Sequence, residues 1–149
     1  MLNVVRPTSD SVVVVVGAGA VGLAALMALK LAPSPAKQVI AVDLVPERLK
    51  LAKQYGATDV INSKETPDLK AALKGLTDGK GVDGSIDTTG RPEVLRTLLE
   101  SSAKKGVVVS VGVGKVNGLC PLICVVLLLY HRCSVTDDTV SSYQQKYPR

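Results

Sequence analysis

The sequence predicts an α/β domain, an open parallel sheet with helices on both faces. Short apolar runs rich in valine and isoleucine recur as far as Val111. Stretches with helical periodicity separate them, and glycine or proline marks most junctions. Apolar runs too short for helices and without polar alternation read as strands covered on both sides, the pattern of a parallel sheet sandwiched by helices.

The composition limits the alternatives. A chain of 149 residues suits one ordinary domain. With 46% hydrophobic residues and neither tryptophan nor phenylalanine, its core must come from valine, leucine, isoleucine and alanine. The net charge of +5 is dispersed, and only four tyrosines are available to stack on bases, so no nucleic-acid partner is expected. The start M-L-N-V-V-R lacks the order of a signal peptide, which makes a cytoplasmic chain the expectation. The run Leu119 to Tyr130 has 12 residues. A membrane-spanning helix needs about 20, so no membrane partner is expected either.

Val12 to Val16 is the first strand, five valines closed by Gly17. Upstream, Pro7 disfavours helix just before it, and Met1 to Ser11 reads as a connection. Ala20 to Ala32 is the first helix, with Leu23, Leu26, Met27 and Lys30 at i, i+3, i+4 and i+7, and Pro33-Ser34-Pro35 stops it. Gln38 to Asp43 is the second strand. The helix that follows has Pro46 in its first turn, Leu49 and Ala52 beyond it, and Gly56 at its end.

Asp59 to Asn62 is a short third strand. Thr66-Pro67-Asp68 caps a third helix whose apolar face is Leu69, Ala72, Leu73 and Leu76. Val82 to Thr88 forms the fourth strand. Gly90 to Lys105 forms the fourth helix with Leu95, Leu98 and Leu99 inward, and Gly106 turns the chain into Val107 to Val111. Ligands of such sheets bind beyond the carboxyl ends of the strands. Gly17 to Gly22, Asp43, Thr88 to Gly90 and Val111 to Val113 should therefore surround one crevice.

The first junction carries the chemistry. Gly17, Gly19 and Gly22 form G-x-G-x-x-G between a strand and a helix. In the dinucleotide reading Gly17 permits the tight turn, Gly19 lets a pyrophosphate approach the backbone, and Gly22 lets helix and sheet pack closely. The N–H groups of the helix start then face the phosphates. Asp43 lies 21 residues after Gly22, at the tip of the second strand. The fingerprint expects an acidic residue about 20 residues on, accepting hydrogen bonds from the adenosine ribose. Its bland alternative is a capping role for the helix beginning near Pro46. The carboxylate also favours NAD over NADP, because it would repel a 2′-phosphate.

The stretches L-N-V-V-R-P, V-V-V-V-G-A-G-A-V-G-L-A-A, A-V-D-L-V-P-E-R-L-K-L-A-K-Q-Y-G-A-T-D-V-I-N, S-I-D-T-T-G and V-V-S-V-G-V-G resemble the coenzyme domain of the medium-chain, zinc-type alcohol dehydrogenases, in particular the aryl-alcohol dehydrogenase group. The resemblance implies a Rossmann-type NAD-binding domain over residues 1–114 and hydride transfer between an alcohol and NAD in the full-length family. By position it implies that Gly17, Gly19, Ala20, Val21 and Gly22 form the pyrophosphate loop, Asp43 the ribose carboxylate and Arg48 a basic residue flanking that ribose. It likewise places Thr88, Thr89 and Gly90 under the cofactor, with Val111, Gly112 and Val113 as backbone facing the carboxamide. For Arg48 a solvated helix face is the plain alternative, and for the threonines ordinary strand-end hydroxyls.

The departures bear on activity. Residues 1–119 contain no cysteine and no histidine, whereas the resemblance implies a preceding catalytic domain that supplies the zinc ligands. Zinc is therefore expected only in that missing domain, and no catalytic residue is assigned here. Past Lys115 the pattern breaks, and the sheet is expected to stop before or at its sixth strand. Residues 115–149 read as an atypical tail, partly apolar and then disordered, of the kind a translated intron or altered splice would give. Cys120, Cys124, His131 and Cys133 all lie there, at spacings that fit no common zinc pattern. A non-catalytic nucleotide-binding module is the alternative reading, and a methyltransferase or ligand-sensing user of the same fold a more distant one. The full-length family also implies a homo-oligomer.

Overall fold

The computed structural model describes residues 2–112 and 131–132. Its elements are α1 (Leu2–Val5), β1 (Val12–Val16), α2 (Ala20–Lys30), β2 (Gln38–Asp43), α3 (Pro46–Gln54), β3 (Asp59–Asn62), α4 (Leu69–Gly75), β4 (Val82–Asp87), α5 (Pro92–Ser101), β5 (Ser102–Ser110) and β6 (His131–Arg132). The strands lie in the order β3-β2-β1-β4-β5-β6. The first five pair in parallel, and the two residues of β6 run antiparallel beside Val107 and Val108. Chain order reverses between β1 and β4, which opens a crevice at their carboxyl ends. Val113, the expected mobile tail and the three cysteines lie outside the described residues.

The valine strand explains the layering. Alternate side chains of a strand point to opposite faces. Val13 and Val15 join one core with Ala25, Leu26 and Leu29 of α2 and Ala52 of α3. Val14 and Val16 join another with Leu73 of α4 and Leu98 of α5. Burying each of these valines and leucines stabilises the fold by about 1.5–3 kcal/mol. A Lys70–Glu100–Arg96 ion-pair chain, with both contacts at 3.0 Å, links α4 to α5 on the second face.

Four details differ from expectation. Met1 to Ser11 is not wholly a connection, since Leu2–Val5 is helical. Val5 is buried above Gly84, where an added Cβ would come within 2.5 Å of its methyl group. The helix stops before Pro7, with Arg6 at φ 44°. In α2 the buried face is Gly22, Ala25, Leu26 and Leu29, whereas Met27 is 44% exposed. Contact at Gly22 turns that side of the helix to the sheet. In α4, Leu76 is exposed rather than inward.

Finally, α5 ends at Ser101 rather than Lys105. The Ser101 and Ser102 hydroxyls donate to the Thr97 and Leu98 carbonyls, at 2.6 and 2.8 Å, competing with helix continuation. The chain goes directly into β5. Residues 103–106 form an irregularity between the pairs Val82↔Ser102 and Gly84↔Val107, with Lys105 at φ 68°.

Candidate dinucleotide site

Each fingerprint glycine occupies a different environment. Gly17 has φ 92°, and a Cβ there would strike the Thr88 hydroxyl. At Gly22 a Cβ would strike the Gly17 carbonyl oxygen, with the carbonyl carbon 2.9 Å away. At Gly19 a Cβ would meet nothing within 4 Å. Two glycines are thus required by packing, and the third leaves open space at the start of α2. No side chain caps that helix and no acid lies in its first turn. Its first-turn N–H groups keep their donor capacity and partial positive charge toward the crevice. Ala20 and Val21 are exposed beside them.

Asp43 is only 8% exposed at the tip of β2. Its Oδ2 accepts from the Ala18 N–H at 2.7 Å, and its Oδ1 accepts from the Val45 N–H at 2.9 Å. The plain capping alternative fails, because Val45 is the N-cap of α3 and no side chain caps that helix. Asp43 instead ties the glycine turn to the turn preceding α3. The Arg48 guanidinium lies 3.9 Å from the same carboxylate and is half exposed.

The other half of the crevice is built on β4 and β5. The Thr88 hydroxyl donates to the Val16 and Gly17 carbonyls, at 3.0 and 3.1 Å, and so joins β4 to the glycine turn. Gly90 has φ 65°. Gly112 presses on it: a Cβ there would lie 2.7 Å from the Thr89 carbonyl carbon. The Val111 and Gly112 N–H groups donate to the Asp87 carbonyl, at 2.7 and 3.3 Å.

The structure therefore brings Gly17 to Thr88 and Thr89, Asp43 to Ala18 and Arg48, and Gly112 to Thr89 and Gly90. Sequence reasoning passed over Ala18, Asp87 and Ser110. Asp87 is fully buried and accepts from the Thr89 N–H, the Thr89 hydroxyl and the Ser110 hydroxyl. Its signal was present, since S-I-D closes an apolar strand with a carboxylate as A-V-D does.

With this geometry in view, comparison with known proteins decides the family. A family model described as zinc-binding dehydrogenase matches residues 20–149. The chain belongs to the zinc-binding dehydrogenases. Within that family it is 40% identical over 115 residues to alcohol dehydrogenase 1 of Petunia hybrida, covering 75% of this chain and 29% of that protein. Zinc-type alcohol dehydrogenase B of Aspergillus flavus is 39% identical over 114 residues, covering 76% of this chain and 26% of that protein. Among solved structures, benzyl alcohol dehydrogenase from Acinetobacter calcoaceticus superposes with TM-score 0.71 at 36% identity, over 99% of this chain and 43% of that one. An alcohol dehydrogenase zinc-binding domain protein from Burkholderia ambifaria gives TM-score 0.72 at 39% identity, over 80% and 31%.

This zinc-binding dehydrogenase chain thus spans under a third of the length of those plant and fungal relatives. Among its described residues no helix is long and apolar enough to cross a membrane.

Proposed function

We propose that this chain is the NAD-binding part of an alcohol dehydrogenase-like oxidoreductase working in the cytoplasm. The observation that carries the reading is the contrast among the three glycines. Gly17 and Gly22 are forced by contact with Thr88 and with each other, whereas Gly19 faces open space at an uncapped helix start. In this reading the pyrophosphate takes that space, where a Cβ on Gly19 would meet nothing within 4 Å, and the α2 N–H groups donate to it. Asp43 accepts from the adenosine ribose hydroxyls, with Arg48 flanking it. Thr88, Thr89 and Gly90 lie under the cofactor, and the backbone of Val111 and Gly112 faces the carboxamide. When bound, NAD supplies a nicotinamide ring that accepts or donates hydride.

Zinc is a separate matter. Among the described residues no three His, Cys, Asp or Glu side chains gather as a metal site would, so those residues do not fit a zinc ion and no step is routed through one. In the proposed reading alcohol activation belongs to residues beyond them.

Gly19→Val tests the proposal. The new Cβ meets no protein atom within 4 Å and the branched side chain extends toward the pyrophosphate space, so the melting temperature should hold while NAD binding by calorimetry is abolished. Undiminished NAD binding by the variant would overturn the assignment of this loop.

A further inference from the structure

We infer that Asp87 is the positioning residue for the nicotinamide side of the crevice, fixing the exit loops of β4 and β5 against each other. The inference rests on the NAD reading above. Asp87 and Asp43 are built alike. Each ends a strand, and each carboxylate accepts through Oδ1 from the N–H two residues on: Val45 at 2.9 Å for Asp43 and Thr89 at 2.8 Å for Asp87. Each also accepts through Oδ2 from a neighbouring strand's end, from the Ala18 N–H at 2.7 Å and from the Ser110 hydroxyl at 3.1 Å. The doubly wound fold consists of two mononucleotide-binding halves, and each half holds one such carboxylate.

Burial distinguishes their tasks. Asp43 retains some exposure at the crevice, whereas Asp87 has none and acts only through the loops it holds. An apolar side chain would fit this interior more cheaply, because a buried carboxylate is costly without donors. Its donors come from Thr89 in the β4 exit loop and from Ser110, the last residue of β5. The Thr89 hydroxyl adds a bond at 2.7 Å, and the Asp87 carbonyl accepts from Val111 and Gly112. Gly112 then rests on Thr89 and Gly90, and to these backbone contacts the Asp87 carboxylate adds its own tie between Thr89 and Ser110.

The test is calorimetric titration of the full chain and its variants with NAD and with ADP, which lacks the nicotinamide half, alongside amide hydrogen exchange. Asp87→Ala should weaken NAD about tenfold or more, the scale of a lost hydrogen bond to a charged group. ADP should change less than about twofold, as expected for an uncoupled site. Exchange should accelerate at Thr89, Val111 and Gly112 while Ala18 stays protected. Asp87→Asn should restore NAD binding, because its Oδ1 keeps the Thr89 donors and its amide can donate to Ser110.

Parallel loss of NAD and ADP binding, or no change in either, would overturn the inference. If the unsubstituted chain binds neither ligand, the NAD reading fails, and exchange alone decides the positioning: unaltered protection at Thr89, Val111 and Gly112 in Asp87→Ala refutes it. Should Asp87→Ala not fold, Ser110→Ala replaces it, with faster exchange at Val111 and Gly112 and weaker NAD but not ADP binding expected. Unchanged behaviour of Ser110→Ala refutes the inference equally.

Discussion

The Ala18 N–H and the Asp43 carboxylate, 25 residues apart in sequence, meet at 2.7 Å. One carboxylate therefore holds the glycine turn and, in the proposed function, also accepts from the ribose, so its removal should affect two functions together. Asp43→Ala should lower NAD affinity by about 1.5–3 kcal/mol through the lost charged hydrogen bond, and it should narrow the preference for NAD over NADP by removing repulsion of the 2′-phosphate. Titrating both proteins with both cofactors checks this. Equal affinity of the unsubstituted chain for NAD and NADP would show that Asp43 does not select.

Gly22 and Gly19 should respond in opposite ways to a single methyl group. At Gly22 the methyl meets backbone atoms of Gly17, which cannot swing aside. Gly22→Ala should therefore cost about 1–3 kcal/mol or more by overpacking. Gly19→Ala should leave thermal stability unchanged. Denaturant titration of the two variants separates packing from ligand space.

Leu26 and Met27 are adjacent in α2, yet only Leu26 is buried. Leu26→Ala should cost about 2–5 kcal/mol. Met27→Ala should stay within about 0.5 kcal/mol, as for an ordinary surface change. Similar losses for both would mean that α2 is rotated from the orientation described.

The Glu100 carboxyl is held below its ordinary value of 4.5, first by its hydrogen bond from Lys70 and then by that from Arg96. A depressed folded-state pKa contributes stability that is present above the unfolded value and is lost as pH falls through the folded one. Glu100→Gln should therefore lower stability modestly at neutral pH, since the pairs are partly exposed. The gap to the parent protein should close as pH drops below 4.5. Melting curves across that range measure it, and a pH-independent gap would exclude linkage to this carboxyl.

The sheet was legible because its strands are nearly pure apolar runs, and the place of the glycine turn beside Asp43 was legible because both sit where apolar strands end. What escaped depends on tertiary contact. Nothing local reveals that Gly84 makes room for Val5, so the helix before Pro7 was read as a connection. In α2, Leu23 and Leu26 face the core as their spacing suggests, but the close approach at Gly22 turns Ala25 and Leu29 inward in place of Met27 and Lys30. The serine hydroxyls that terminate α5 compete with the backbone only once the helix exists. Asp87 and Ser110 carry a recognisable strand-end pattern, but their pairing across β4 and β5 is set by register.

Five consecutive valines make β1 cohesive and also anonymous. Sliding the strand by one residue would still leave valines facing both layers, so hydrophobic patterning supplies almost no alignment information along it. Polar contacts mark its ends, where the Val12 N–H donates to the Asp83 carboxylate at 2.9 Å and the Gly17 N–H to the Val42 carbonyl at 2.8 Å. The Gly17 contact borders the crevice, the Val12 contact lies at the opposite end of the strand, and together they serve as a vernier for its alignment. A chain deprived of the Asp83 contact would keep its greasy centre and lose one of the marks that tell the native alignment from a slipped one.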